Sequence, residues 1–322
     1  MRTVYLDQNQ WIALARAVKR PEDHPALRSL PRRIREEVDA GRLRIPLTFA
    51  NVYETHKIND PERRSDLAIV QAFLSQGTVF RGRRRRREVE IGQIIASLVQ
   101  LPPSVLADDW FLSRIFFEGA AESDVICQEV GVSERVVESI RSRPAESLYD
   151  YLVGTPDAVR TEAVKKFSAE SERLRAMVEE RRQKHAAENL AMRRRIYSAL
   201  MMIDDIDLIL RVANEVGAPW KQIADIGSSN ARRIMNEVPT YHIEREIAVR
   251  LEAQTRPIEE NDFRDMQTFC TVIPYADLIV GENQFVNLAR QARLDEKYDT
   301  RMATSLSALD QALDDWAGQT VA

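Results

Sequence analysis

Cysteine and histidine are scarce in this chain. Two cysteines, Cys127 and Cys270, are too few for a disulfide framework or a cysteine-rich zinc site. They imply a reducing setting, with both thiols expected as buried packing residues. The four histidines, His24, His56, His185 and His242, fall at no metal-ligand spacing. No stretch approaches ~18 uninterrupted apolar residues, so no membrane span is expected. The opening MRTVYLDQNQW has no apolar signal-peptide core and already carries Asp7. A cytoplasmic location follows as the expectation. Excess positive charge is also missing. Lys and Arg total 46 against 50 Asp and Glu, a net charge of −4, so any nucleic-acid binding must come from a local patch. What is present is 322 residues, 44% hydrophobic and 30% charged, enough for one large domain or two medium ones.

Residues 3–6, β-branched and aromatic, read as a short buried strand that ends at Asp7. A helix follows from Asn9 to Val18, with Trp11, Ile12, Leu14, Ala15 and Val18 as its apolar stripe. A second helix is expected from Pro25 to Ala40, stopped by Gly41. Leu43 to Leu47 reads as a strand and Thr48 as the N-cap of a helix reaching Ile58. Asn59-Asp60-Pro61 opens a further helix ended by Gly77, and Thr78 to Phe80 is a third short strand. From Glu88 to Thr255 the pattern is helical, without a convincing strand. The 157–216 stretch, poor in Gly and Pro, suits one or two long helices. Asn261 opens a helix to Val272, Leu278-Ile279-Val280 is a short apolar strand, and helices over 284–293 and 300–316 close the chain. Short apolar strands alternating with helices predict an α/β fold with a parallel sheet under helical cover.

In such a sheet ligands sit outside the carboxyl ends of the strands. Asp7 directly follows the first strand, and Glu282 follows strand 278–280 after Gly281. Glu54 lies six residues into the helix after the second strand. Asp262 and Asp265 occupy the first turns of the helix feeding strand 278–280. Carboxylates from distant parts of the chain therefore converge on one edge, where they repel one another unless a divalent cation lies between them. An all-oxygen, histidine-free set favours Mg²⁺ or Mn²⁺ over Zn²⁺, and suits metal-assisted phosphodiester hydrolysis. Asp277 sits at the opposite end of its strand and reads as a turn or capping residue. Asn9 either orients Asp7 or bonds its own backbone. Arg81, Arg83, Arg84, Arg85, Arg86 and Arg87 put six positive charges in seven residues. Placed after the third strand, they read equally as a solvated face or as a phosphate-backbone contact. The Asp204-Asp205-Ile206-Asp207 cluster reads as surface, and His56 as structural or exposed.

Val4-Tyr5-Leu6-Asp7-Gln8-Asn9 resembles the opening strand of the PIN-domain ribonucleases. Pro46-Leu47-Thr48 with Glu54 is similar to that family's second strand and helix-borne glutamate. Asn261-Asp262-Phe263-Arg264-Asp265 with Ile273-Pro274-Tyr275-Ala276-Asp277-Leu278-Ile279-Val280-Gly281-Glu282 resembles its C-terminal block. The family usually has Thr or Ser at the place of Gln8, and Thr-Asp at the place of Gly281-Glu282. The resemblance implies a PIN-like core built from residues 1–80 and 258–322, interrupted by an all-helical insertion over 81–257. It also implies a Mg²⁺- or Mn²⁺-dependent endoribonuclease in which Asp7, Glu54, Asp265 and Glu282 act, with Asp262 competing with Asp265 as third ligand. Use as a toxin, in toxin–antitoxin stress response or in anti-phage defence belongs to the same implication. The long helices of the insertion read as a dimer interface, a substrate clamp or an arm for an inhibitor or partner protein. Two other functional readings stand beside it. One is a structure-selective or single-stranded-DNA nuclease with the same chemistry, and the other a non-catalytic nucleic-acid-binding scaffold.

Overall fold

The computed structural model describes residues 1–120, 132–218 and 228–319. The described elements run, in order, β1 (Arg2–Leu6), α1 (Gln8–Lys19), α2 (Leu30–Asp39), β2 (Leu43–Arg44), α3 (Phe49–His56), α4 (Pro61–Leu74), β3 (Val79–Phe80) and α5 (Arg83–Leu98). They continue with β4 (Leu112–Ser113), α6 (Glu134–Ser142), α7 (Pro144–Gly154), α8 (Asp157–Lys184), α9 (Leu190–Asp204), α10 (Ile206–Glu215), α11 (Ser228–Glu237) and α12 (Pro239–Leu251). The last are α13 (Glu260–Val272), β5 (Leu278–Val280), α14 (Asn283–Gln291), α15 (Leu294–Tyr298), β6 (Arg301–Ala303) and α16 (Leu306–Gln319).

A four-stranded parallel sheet of order β2-β1-β5-β6 lies at the centre. Its two faces follow from the strand period of two. Val4, Leu6, Leu278 and Val280 point into one hydrophobic cluster, with Trp11 and Leu14 of α1, Ile34 of α2, Leu67 of α4 and Leu309 of α16. Tyr5 and Ile279 point into the other, with Ile91 of α5, Ile247 of α12, Phe269 of α13 and Phe285 of α14. The parallel sheet is thus covered on both sides, as a parallel sheet must be.

The middle stretch is shared between these two faces. Helix α7 packs on α4 on the Val4 side, while α5 and α9 to α12 build the Tyr5 side. Two short strands depart from the sequence reading. β4 lies within the segment read as strand-free and pairs antiparallel with β3, which forms an isolated parallel bridge from Val79 to Leu47, three residues beyond β2. β6 falls where the final helix was expected to begin. Its three residues include no β-branched side chain, and pairing with β5 decides their conformation. The 25–40 helix is also split, into a 3₁₀ turn over Pro25–Leu27 and α2. The 157–216 stretch forms three helices rather than one or two.

Local signals set most boundaries. Asp60 caps α4 by accepting from the Glu62 and Arg63 amides, and Pro61 takes the first helical position, where no donor is needed. Thr48 and Asn51 form a reciprocal capping box at the start of α3. Gly77, at φ +67°, ends the segment after α4 where a Cβ would lie 2.3 Å from the Pro144 backbone. Among the described residues, no helix is long and apolar enough to cross a membrane.

Candidate functional site

Asp7 continues β1 by one step, its amide donating to the Val280 carbonyl at 2.9 Å. The carboxyl ends of β1 and β5 are therefore side by side, with Asp7 on one and Gly281-Glu282 on the other. Asp7 caps α1, its Oδ1 accepting from the Gln8 amide at 2.7 Å. Glu282 is the exposed N-cap of α14. Gly281 brings α13 to this edge, because a Cβ there would stand 3.0 Å from the Phe269 ring. Asp265 is one helical turn before Phe269 on the same face of α13, so that close approach also carries Asp265 to the strand end. Glu54 arrives from α3, with Arg264 Nε 3.5 Å from its Oε1.

The electrostatics of these groups are mutual. Burial, followed by the Glu282 charge, pushes the Asp7 carboxyl up to about 6, against the hydrogen bond from Gln8. Burial and then Asp7 push Glu54 up to about 7, with Arg264 and Lys57 opposing. Asp265 is held well above the usual aspartate range, first by burial, then by the Asp7 and Glu282 charges and by a hydrogen bond shared with Glu282. Tyr5, beneath them in β1, has its hydroxyl raised by burial and by Asp7, Asp265 and Glu54. The structure thus brings Asp7, Glu54, Asp265 and Glu282 into one interacting group.

Other predicted site residues lie elsewhere in the network. Asp262 is buried with its oxygens committed. It receives Arg256 Nη1 at 2.9 Å and Nη2 at 2.6 Å, and the Glu259 amide at 2.7 Å, closing the capping box of α13. It acts in this structure as a helix cap and as the ion-pair partner of Arg256. Asn9 is exposed in the first turn of α1, with no hydrogen bond to Asp7. The buried side chain there is Gln8, which donates to Thr55 Oγ1 at 3.0 Å and accepts from Asn51 and Gln71. Asp277 lies at the far edge, receiving Arg2 Nη1 and the Thr3 amide at 2.7 Å each. His56 is buried against the Tyr151 ring. Cys270 is buried as expected, and Cys127 lies outside the described residues.

The arginine run is not a continuous phosphate-binding face. Arg86 is 1% exposed and donates to the carbonyls of Arg81 and Cys270 and to the hydroxyls of Thr240 and Thr271. Arg87 is buried in an ion pair with Asp205. These two belong to the core. Arg81 pairs with Glu118, Arg83 with Glu244, and Arg84 and Arg85 with Glu88.

Hard carboxylate oxygens with raised pKa values are the donor set that a small divalent cation takes. Asp265, raised by burial and by its acidic neighbours, is the carboxyl most disposed to keep its proton. Among the described residues, no three acids, histidines or cysteines stand at ligating separation. Without a cation the acids cost stability once ionised. The folded pKa values of Asp7, Glu54 and Asp265 are raised, so the folded state holds more protons than the unfolded chain, and stability falls as pH rises from about 4 through about 9. Asp265→Asn removes the acid whose folded pKa is raised most, and with it the proton uptake that folding requires at pH 8, so it is expected to raise the melting temperature of metal-free protein at that pH by a few degrees. The same substitution at pH 4 should have little effect, and calorimetric melting at the two pH values checks both.

Comparison with protein-family models, with curated proteins and with solved structures returned no match.

Proposed function

We propose that this chain is a Mg²⁺- or Mn²⁺-dependent nuclease that cleaves RNA internally. The observation that carries the reading is the group of four carboxylates, Asp7, Glu54, Asp265 and Glu282. They come from four separate segments at the carboxyl edge of a parallel sheet, where burial and neighbouring acids raise the pKa of Asp7, Glu54 and Asp265. Asp7, Asp265 and Glu282 would hold the cation, with Glu54 completing the set. When bound, such an ion lowers the pKa of water and offsets charge on the phosphodiester oxygens. Glu54, titrating near 7, accepts the proton of the attacking water. Arg264, ion-paired with Glu54 and lying over the Tyr53 ring at 5.4 Å, fixes the orientation of that carboxylate. The buried Gln8–Asn51–Thr55–Gln71 network holds α1, α3 and α4 in register behind the acids.

The resemblance to PIN-domain ribonucleases supports RNA over DNA, and a toxin or defence role for the cleavage. The test is incubation of purified protein with end-labelled RNA and DNA panels in Mg²⁺, Mn²⁺ or EDTA, beside Asp7→Asn. Internal RNA cleavage that needs the metal and Asp7 is expected. Preferential DNA cleavage moves the substrate to the second reading, and binding without cleavage in any metal supports the scaffold.

A further inference from the structure

A groove with a volume of about 490 Å³ runs between α9 and α11, in the helical middle of the chain. Its floor is apolar. Ala191, Ala199 and Met202 come from one face of α9, and Ala231 and Met235 from one face of α11. The walls are basic. Arg194, Arg195, Arg232 and Arg245 line them, and among the described residues no aspartate or glutamate does. Arg194 and Arg245 have a carboxylate behind the wall, Glu246, but Arg250 uses the same one. Three guanidiniums on one carboxylate leave two positive charges over. Arg195 adds a third, since it is exposed and forms no ion pair among the described residues. Lys297 adds a fourth, beside the groove, where it donates to the Asn236 carbonyl at 3.0 Å. The excess acts on its neighbours. Burial and then the Lys297 and Arg245 charges push His242 down to about 4, and burial and then Arg245 lower Lys297. In a chain of net charge −4 this is a local reversal of sign.

We propose that this groove is the docking site for an acidic amphipathic helix of a partner protein. The helix lays its apolar stripe on Met202, Met235 and the alanines, and its carboxylates meet Arg195 and the excess positive charge of the walls. The methionines adjust to the partner's apolar side chains. Two observations favour a helix over a nucleic-acid strand. Among the described residues no aromatic side chain lines the groove, so bases have no face to stack on. A floor of methyl and thioether groups also offers nothing to a phosphate backbone. The groove shares no residue with the four carboxylates, so the inference does not rest on the nuclease reading.

The probe is a fluorescein-labelled peptide of about 18 residues, with Leu and Ala on one helical face and Glu on its flanks. Two sister peptides carry Gln for every Glu, or Gln for every Leu. Anisotropy with the full chain in EDTA, at low and high salt, measures binding. The Leu/Glu peptide should bind at least about tenfold more tightly than either sister, and more weakly at high salt. Arg195 and Ala199 are exposed, so substitutions there leave the fold intact, which melting curves check. Arg195→Glu reverses a wall charge, and Ala199→Gln puts a polar amide on the floor. Each is expected to weaken the peptide about tenfold. Arg141→Glu makes the same charge change on α6, whose Ile140 packs on the other face of the sheet, and should alter binding less than about twofold.

Equal affinity of the peptide for wild type, Arg195→Glu and Ala199→Gln overturns the docking site, as does failure of the wild type to bind it. Equal binding of the Gln-for-Glu sister rejects an acidic partner. If a single-stranded RNA of about ten nucleotides binds with the same dependence on Arg195 and the peptide does not, the groove is a nucleic-acid face and the helix is rejected. Self-association that Ala199→Gln abolishes, without peptide binding, makes the groove a seam between two copies and rejects it too. The presence or absence of nuclease activity changes none of these outcomes.

Discussion

Asp7→Asn is expected to reduce RNA cleavage by about a thousandfold or more, some 4 kcal/mol in the barrier, while leaving RNA affinity in EDTA unchanged. The expectation follows from position. Asp7 is coupled to Glu54, Asp265 and Glu282, and lies at the seam where β1 and β5 end together. Asparagine keeps an oxygen for the Gln8 amide and so preserves the cap of α1. It removes one charge from a group that is destabilised by like charge, so melting at pH 8 should be unchanged or higher. Loss of cleavage with retained or increased stability separates a catalytic role from a folding defect. Unaltered cleavage by Asp7→Asn assigns the activity to another site.

The largest structural effect is expected at Arg86. Its guanidinium is buried where α5, α12 and α13 meet, and it satisfies two backbone carbonyls and two hydroxyls. It also lowers the pKa of buried Glu90, which burial pushes upward. Glu90 in turn accepts from the Thr240 amide and hydroxyl and from Tyr275. Arg86→Ala leaves buried acceptors without donors and Glu90 without its counter-charge, so a loss of about 3–5 kcal/mol is expected. At roughly 2–4 °C per kcal/mol for a large domain, the melting temperature should fall by about 10 °C. Arg84→Ala, two residues away, removes a half-exposed i,i+4 pair with Glu88, which keeps Arg211 as a partner, and should cost less than about 1 kcal/mol. Melting curves of the two variants measure the difference. Equal melting temperatures would return the run to the status of a solvated face.

Arg86 also shows where a linear reading stops. Seven residues with six positive charges look uniform in one dimension. Once they wind into α5, position 86 turns inward with Glu90 one turn later, and positions 84, 85 and 88 turn outward. Which face is buried depends on α12 and α13, which are more than 150 residues away. Asp262 and Asp265 pose the same problem at shorter range. Both lie early in α13, and only the Arg256 fork and the Glu259 amide identify Asp262 as the cap. By contrast, β1, β5 and the placement of Asp7 and Glu282 were legible, because short apolar runs ending in an acid define both a strand and its edge. Gly281 was legible as a small residue, but its close contact with Phe269 was not, since that depends on helix–sheet packing. Tyr5 and Arg264 were missed as members of the site. Tyr5 has the pattern of an ordinary core strand residue, and Arg264 pairs with Glu260 as any i,i+4 helix charge does.

The divalent-cation site proposed for the four carboxylates at the sheet edge is open to direct measurement. Calorimetric titration of metal-free protein with Mn²⁺ at pH 7.5, in two buffers of different ionisation enthalpy, tests it most directly. Because burial and like charge raise the Asp7, Glu54 and Asp265 carboxyls, binding of a cation to them is expected to expel protons. The wild type should therefore bind Mn²⁺ with a buffer-dependent heat that reports proton release, and Asp7→Asn should bind at least tenfold more weakly. Mn²⁺ binding that is absent, or that is the same in Asp7→Asn and releases no protons, would contradict the account.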